Sequence, residues 1–218
     1  MDSYQTPLGE LRIGWMGHAS LIMEWAGKVI YADPYSEVAD YLGKPKADLI
    51  LITHNHYDHY DPAALAPIQT PQTRFVVSQN VGPVDERYVV LENGAAMQWE
   101  GLRIQAVASY NINRRNEEGQ HFHPKGVGNG YVLDFSGFKV YVPGDTEPIS
   151  EMDQLPHLDV AFLPKNLPYT MTDDEFVALA NRFQPDVLYP IHFFELDYDR
   201  LRKAVDPKII LKNPEKYD

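Results

Sequence analysis

The chain has 218 residues, of which 44% are hydrophobic and 23% are charged, and its formal net charge is −12. It contains no cysteine, which excludes disulfides, thiolate zinc sites and cysteine nucleophiles. The acidic balance disfavours a nucleic-acid-binding surface, and no apolar run approaches the ~20 residues of a membrane span. We therefore expect residues 1–218 to form one cytoplasmic domain that acts on a small molecule, with its oligomeric state left open.

The first half of the chain is predicted to be rich in β-strands. Leu11–Met16, Ser20–Trp25 and Lys28–Ala32 look like consecutive strands separated by turns that contain glycine. Asp48–Thr53 (DLILIT) is a continuous apolar run, typical of a strand that is buried on both faces. Further strands are predicted at Arg74–Ser78, Arg87–Leu91, Leu102–Ala108, Gly130–Phe135, Phe138–Val142, Asp159–Leu163 and Asp186–Ile191.

Three helices are predicted from their capping signals. Asp61, followed by a proline, is expected to cap the first. Thr172 and Glu175 have the spacing of a capping box and predict a helix that ends near Phe183. A last helix is expected to begin near Asp197.

The segment Tyr110–Gly130 interrupts this order of strands and helices. It is long, polar and rich in glycine, asparagine, arginine and histidine. A loop of this length inside a compact domain is usually functional or mobile.

The densest chemical signal lies directly after the buried strand, in the segment Thr53–His59. Three of the eight histidines of the chain and one aspartate fall within six consecutive positions, as His54, His56, Asp58 and His59. Imidazole is the commonest metal ligand in proteins, and loops at strand ends are where a scaffold presents functional groups. The pattern therefore indicates a metal site rather than a solvated polar loop.

The HxHxDH pattern after an apolar strand resembles the signature of the metallo-β-lactamase superfamily. Two further family motifs follow in order, Gly144-Asp145-Thr146 after one predicted strand and Pro190-Ile191-His192 after another. The segments Gly17–Ser20, Ala32–Tyr35, Gly144–Glu147 and Tyr169–Met171 are similar to those of the branch that includes the ascorbate-6-phosphate lactonase-like proteins. The resemblance implies an α+β fold, a four-layer αββα sandwich with the site at one edge between the sheets.

The resemblance also implies how the metals are bound. His54 and His56 would bind the first metal, Asp58, His59 and His192 the second, and the Asp145 carboxylate would bridge the two. Two divalent ions are expected, with zinc as the predicted metal and manganese, iron or nickel as alternatives.

The sequence departs from the family pattern at one position. Most members have a third histidine for the first metal, but the predicted strand Leu102–Ala108 is followed by Ser109-Tyr110-Asn111. Asn111 occupies the expected position, whereas His123 and His121 offer the better ligand chemistry. All three could equally be ordinary loop residues, so the choice stays open here.

Other residues are candidates for catalysis and substrate binding. His18, in a turn after a glycine, is a candidate catalytic or charge-stabilising residue, and Asp33 is a candidate partner for the free N–H of a ligating histidine. Both also suit purely structural roles as turn residues. In the long loop, Arg114, Arg115 and Lys125, together with His123, are candidates to hold an anionic substrate. The abundant tyrosines and the tryptophans are expected to pack in the core rather than to bind substrate.

The predicted activity is hydrolysis by a hydroxide that bridges the two metals, with Asp58 orienting it and moving its proton. The resemblance and the loop cations favour a small anionic ester or lactone as substrate. Alternatives are a phosphodiesterase acting on a phospholipid or nucleotide, and a non-catalytic metal-binding protein. A redox di-iron protein is disfavoured, because that branch of the superfamily has glutamate where His56 stands.

Overall fold

The computed structural model describes residues 1–217 of the chain, in which fourteen strands form two seven-stranded mixed sheets. The first sheet contains β1 to β7 in chain order, and the second contains β8 to β14, also in order across the sheet. The strands of the first sheet are β1 (Asp2–Thr6), β2 (Gly9–Gly17), β3 (Ser20–Trp25), β4 (Lys28–Ala32), β5 (Leu49–Ile52), β6 (Arg74–Val77) and β7 (Tyr88–Val90). Those of the second are β8 (Ala96–Trp99), β9 (Leu102–Ser109), β10 (Gly128–Phe135), β11 (Phe138–Val142), β12 (Val160–Pro164), β13 (Val187–Ile191) and β14 (Ile210–Leu211).

Three α-helices and one 3₁₀ helix connect these strands. They are α1 (Pro62–Ile68), the 3₁₀ helix Ser150–Gln154, α2 (Asp173–Phe183) and α3 (Tyr198–Ala204). All three predicted caps are confirmed. The Asp61 side chain accepts from Ala63 N, Thr172 and Glu175 form a reciprocal capping box, and Asp197 accepts from Arg200 N. No helix within residues 1–217 is long and apolar enough to cross a membrane.

Alternating burial on the strands produces the layers. Leu49 and Leu51 of β5 contribute to a central core shared by both sheets, whereas Ile50 and Ile52 pack with α1 on the outer face. Helices α2 and α3 cover the outer face of the second sheet, where Phe176 and Leu201 belong to one cluster with strand residues. The predicted four-layer αββα sandwich is therefore confirmed.

The structure adds three strands to the prediction and shifts some boundaries. β1, β8 and β14 were not predicted, because β1 is largely polar, β8 (AMQW) contains no β-branched residue and β14 has only two residues. β10 begins at Gly128, two residues before the predicted start, which shortens the long loop to residues 110–127.

The direction of the strands determines where functional side chains can meet. β4, β5 and β6 run parallel to one another, as do β11, β12 and β13. Carboxyl ends of neighbouring parallel strands lie at the same edge of a sheet, which is where α/β proteins commonly place their sites.

Candidate metal centre

Each candidate ligand follows the end of a strand, except for His123, which comes from the long loop. The segment 54–59 follows β5, Asp145 follows β11, and His192 follows β13 directly. His18 lies in the turn between β2 and β3, and His123 belongs to the loop between β9 and β10. The two sheets therefore contribute ligand candidates to one centre from opposite sides.

Three histidines form the first cluster, which we call group one: His54, His56 and His123. One nitrogen of each ring lies within 4.8 Å of a nitrogen of the other two. His54 and His123 are buried, and His56 is half-buried. Three converging imidazoles match the ligand number of a catalytic zinc site.

A second cluster, group two, contains His18, Asp58, His59 and His192. The Asp58 Oδ2 atom lies 3.0 Å from His18 Nε2, 3.7 Å from His192 Nε2 and 3.8 Å from His59 Nε2. His18, predicted as a catalytic candidate, therefore lies among the ligand candidates themselves.

The Asp145 carboxylate lies between the two groups. Its Oδ1 is 3.4 Å from His59 Nε2, and its Oδ2 is 3.3 Å from His123 Nε2 and 3.0 Å from His192 Nε2. Gly144 brings the chain this close, since it has φ +64° and an added Cβ would lie 2.7 Å from the Asn129 carbonyl oxygen. A carboxylate in this position could share its oxygens between two cations.

Unsatisfied polar atoms point into this centre. Buried side-chain nitrogens and oxygens normally have hydrogen-bond partners. Several here have none among the described residues: His54 Nε2, His59 Nε2, His123 Nε2, Asp145 Oδ1, His192 Nδ1 and His192 Nε2. Nearly all are atoms of the two clusters, and their type is the one that divalent transition metals prefer, so the donor set fits two such ions.

Burial and the nearby carboxylates act differently on the pKa values of the histidines in the two groups. Burial lowers the pKa of His54 and His56, which keeps these rings neutral, the form that binds metals. Burial acts the same way on His59 and His192, but Asp145 beside them outweighs it and raises both pKa values. The raised values show a buried negative potential that a divalent cation would neutralise.

Asp33 holds group two in place from behind. Its Oδ2 accepts from His59 Nδ1 at 2.7 Å and from the Thr53 hydroxyl at 2.6 Å, and its Oδ1 accepts from Thr53 N at 2.8 Å. Such a partner leaves Nε2 of the histidine free for a metal and fixes the ring orientation. This is the placement that the sequence predicted for Asp33.

Asn111 lies behind His123 instead of in a cluster. Its Oδ1 accepts from His123 N at 2.8 Å and lies 2.8 Å from His123 Nδ1, while its Nδ2 donates to the Tyr169 carbonyl oxygen. Of the two alternatives that the sequence left open for the third ligand position, the structure brings His123 into group one and places Asn111 behind it as its hydrogen-bond partner. His121 lies outside the clusters, with Nδ1 3.3 Å from the Arg114 carbonyl oxygen.

The cations predicted to bind substrate are engaged elsewhere. Arg114 pairs with Glu147 and Glu175, Arg115 donates to the Gly119 carbonyl oxygen, and Lys125 pairs with Glu151 at 2.6 Å. None of the three lines the cavity that opens onto group two. The pairing of Arg114 and Lys125 with acidic residues distant in sequence was not visible in the sequence.

A cavity of about 440 Å³ leads to the centre. Its floor contains His18, Asp58, Asp145 and His192, and aromatic side chains form much of its wall. This aromatic wall was not predicted, because the tyrosines were expected to pack in the core. A signal was present, since Tyr57 lies inside the HxHxDH motif and Phe193 and Phe194 follow His192 directly.

Comparison with known proteins agrees with this geometry. The family described as "Beta-lactamase superfamily domain" matches residues 12–192. A UPF0173 metal-dependent hydrolase of Thermoplasma acidophilum is 30% identical, covering 87% of this chain and 86% of the relative. One from Methanosarcina mazei is 26% identical over 95% of this chain and 97% of the relative.

Solved structures share the fold. A proposed metal-dependent hydrolase from Parabacteroides distasonis superposes with a TM-score of 0.90 and 39% identity, covering 97% of this chain and 96% of the other. A metallo hydrolase from Ignicoccus hospitalis has a TM-score of 0.75 at 22% identity, covering 95% and 96%, and shows the fold alone. The chain therefore belongs to the metallo-β-lactamase superfamily and, within it, to the UPF0173 family of metal-dependent hydrolases.

Proposed function

We propose that this protein hydrolyses a small ester or lactone with the help of two divalent metal ions, zinc in the first instance. Group one would hold one ion and group two the other, and the Asp145 carboxylate would contact both. The observation that carries the proposal is the set of buried imidazole nitrogens, together with one Asp145 carboxylate oxygen, that lack hydrogen-bond partners among the described residues and cluster at the end of one open cavity.

The ions would supply Lewis acidity, which would make the attacking water more acidic and polarise the substrate carbonyl. The chain itself would orient the reactants. Asp58 Oδ2, held 3.0 Å from His18 Nε2, faces the cavity and is placed to accept a proton from the attacking water. The water oxygen bonds to the acyl carbon, the acyl C–O bond breaks, and the proton passes to the departing alkoxide, which yields an acid and an alcohol.

Two observations support acyl rather than phosphodiester chemistry. The motifs that resemble the ascorbate-6-phosphate lactonase-like branch belong to proteins that act on a lactone. In addition, all three candidate loop cations are engaged away from the cavity, so the negative charge of a phosphodiester would be met by the metal ions alone.

Metal analysis combined with a substrate panel tests the proposal. Protein reconstituted separately with zinc, manganese, iron or nickel is assayed against neutral esters, lactones and bis-p-nitrophenyl phosphate. We expect about two ions per chain and turnover of an ester or lactone that His54→Ala abolishes. Turnover of the phosphodiester alone, or full activity without metal, would overturn it.

A further inference from the structure

The cavity above the metal centre is lined by an unusual number of aromatic side chains. Six of them contribute to it: Tyr35, Tyr57, Phe122, Tyr169, Phe193 and Phe194. Its volume of about 440 Å³ lies in the range of small-molecule sites, which are roughly 300–1,000 Å³. The wall therefore offers one small organic molecule a largely apolar surface above the polar floor.

These rings are held in contact with one another and with the fold. Tyr35 packs edge-on against Tyr57 with centroids 6.0 Å apart, and Phe122 packs edge-on against Tyr169 at 4.9 Å. Phe193 stacks at 5.4 Å on Trp15. Rings braced in this way present a preformed surface, which reduces the entropy lost when a ligand binds.

The outer rings are exposed to a degree that packing does not explain. Phe194 is 79% exposed and Tyr57 is 76% exposed, and both lie at the cavity. Leu167, 54% exposed, lies in the adjoining groove beside Phe194. Large apolar side chains clustered at the mouth of a cavity mark a binding surface.

The wall of the cavity holds no lysine or arginine side chain. Among residues 1–217 neither residue type lines the cavity, whereas the acidic Glu37 does and lies apart from the metal-ligand candidates. Lys165 lies in the adjoining groove, where it pairs with Asp173 at 2.8 Å. A charged group on the substrate away from the reacting bond would thus lie among rings and beside Glu37, with no cationic side chain to compensate it.

We propose that the substrate is an uncharged ester or lactone with an aromatic or bulky apolar group, which packs between the Tyr35–Tyr57 and Phe122–Tyr169 pairs while its carbonyl faces the floor. This inference rests on the proposed function and departs from the anionic substrate that the sequence predicted. Tyr57 and Phe194 are then specificity-determining residues, although neither is a ligand candidate.

A matched pair of substrates tests the charge. 4-Nitrophenyl butyrate and mono-4-nitrophenyl succinate have acyl chains of equal length, but the second ends in a carboxylate. With zinc-loaded protein we expect kcat/KM to be about 10-fold or more higher for the butyrate, because like charges placed together disfavour binding. Glu37→Lys should reduce the difference in kcat/KM between the two esters by raising kcat/KM for the succinate.

Substitutions in the wall test the apolar contact. Tyr57→Ala and Phe194→Ala should each raise KM for 4-nitrophenyl phenylacetate about 3- to 10-fold, the range for one aromatic contact, with kcat little changed. Ile210→Ala is the matched control, since Ile210 is 57% exposed but pairs with Val187 at the opposite end of β13 from His192. It should leave KM unchanged.

Binding to metal-free protein separates this inference from the proposed activity. By saturation-transfer NMR, methyl hippurate, which is neutral, should bind more tightly than hippurate, and Phe194→Ala should weaken it. Selective binding of the neutral compound without turnover of any ester or lactone would overturn the proposed function, and would support only the preference of the cavity for an uncharged aromatic ligand. Turnover that favours the succinate, or wall variants that behave like Ile210→Ala, would overturn the inference and leave the proposed function intact.

Discussion

Group one and group two lie next to each other but are supported by different parts of the molecule. In group two, His59 is held by the buried Asp33 carboxylate at the end of β4, and His192 directly follows β13. In group one, His54 also follows a strand, but His123 comes from the loop between β9 and β10. One half of the centre thus rests on the core of the sandwich, and the other half depends on how a loop is held.

The loop is held by a small number of polar contacts. The Asn111 amide spans from His123 to the Tyr169 carbonyl oxygen, and the buried Glu147 carboxylate accepts from the backbone N–H groups of Ile112 and Asn113. Local opening costs less free energy where few apolar contacts are lost. Substitutions in the loop should therefore weaken metal binding at group one alone. Substitutions of the buried residues that hold group two should also lower the stability of the fold.

The largest effect is expected from Asp145→Ala, which removes the carboxylate shared by both groups. Ions that bind only the folded state stabilise it by about 2.7 kcal/mol at 100 times their Kd. The variant should bind fewer than two ions per chain by elemental analysis and lose most of the stabilisation that zinc gives in thermal unfolding. Glu117→Ala, an exposed acidic residue in the loop, is the control and should behave like the unmodified protein. Unchanged stoichiometry in Asp145→Ala would mean that the groups do not share this ligand.

Asp33→Asn should come next, because Asp33 serves both the metal centre and the fold. Loss of a carboxylate partner behind a ligating histidine typically costs about 10- to 100-fold in metal affinity. The Thr53 backbone N–H and hydroxyl both donate to the Asp33 carboxylate. An asparagine amide has only one acceptor oxygen, so one of these hydrogen bonds is lost. We expect weaker binding of one ion, and a lower melting temperature even when EDTA is present. A fall in zinc affinity with no loss of stability in EDTA would contradict the role of Asp33 in stabilising the fold.

The parts of the centre that were predictable from the sequence are those in which ligands are close together in the chain. His54, His56, Asp58 and His59 lie within six positions at the end of one apolar strand, so their proximity follows from the strand alone. The choice between Asn111 and His123 depends on a hydrogen bond between side chains twelve residues apart. No local pattern encodes that contact, because the path of the loop between them decides it.

The same distinction between local and distant contacts explains which strands were predicted and why the partners of the loop cations were not. Strands with continuous or alternating apolar residues were predicted, whereas β1, with the sequence DSYQT, pairs through its backbone and shows no such pattern. Arg114 belongs to a polar loop in the sequence, but its partner Glu175 lies 61 residues further along the chain. Pairing over that distance depends on how α2 packs. The sequence around an arginine therefore does not show whether it has an acidic partner in the fold.

Asn111→Ala tests whether group one depends on the loop. Without the amide, His123 loses its orienting partner, and zinc affinity at group one should fall about 10- to 100-fold, as for other residues that orient a ligand. The ion at group two should remain, so that titration with a zinc chelator resolves one weak and one tight ion. His123→Ala should have the stronger effect of the same kind.

His121→Ala is the matched control, because it removes a histidine from the same loop that lies outside both clusters. It should retain both ions with unchanged affinity. Equal behaviour of the His121 and His123 variants would show that group one does not use this loop, and loss of both ions in Asn111→Ala would show that the two groups are not independent.

The smallest effect is expected from Lys125→Met, which tests whether a loop cation takes part in substrate binding. Lys125 pairs with Glu151 on the surface at 2.6 Å, and its donated hydrogen bond lowers the pKa of Glu151 from 4.5 to about 2. A carboxylate whose pKa is depressed in the folded state contributes stability above its unfolded pKa and loses it as the pH falls toward the folded value. Because the pair is exposed, solvent screens it and the contribution is small. Lys125→Met should therefore lower the melting temperature slightly at pH 7, with the difference disappearing between pH 4.5 and pH 2, and KM for mono-4-nitrophenyl succinate should not change. A rise in that KM at pH 7 would instead place Lys125 at the substrate and restore the anionic ligand that the sequence suggested.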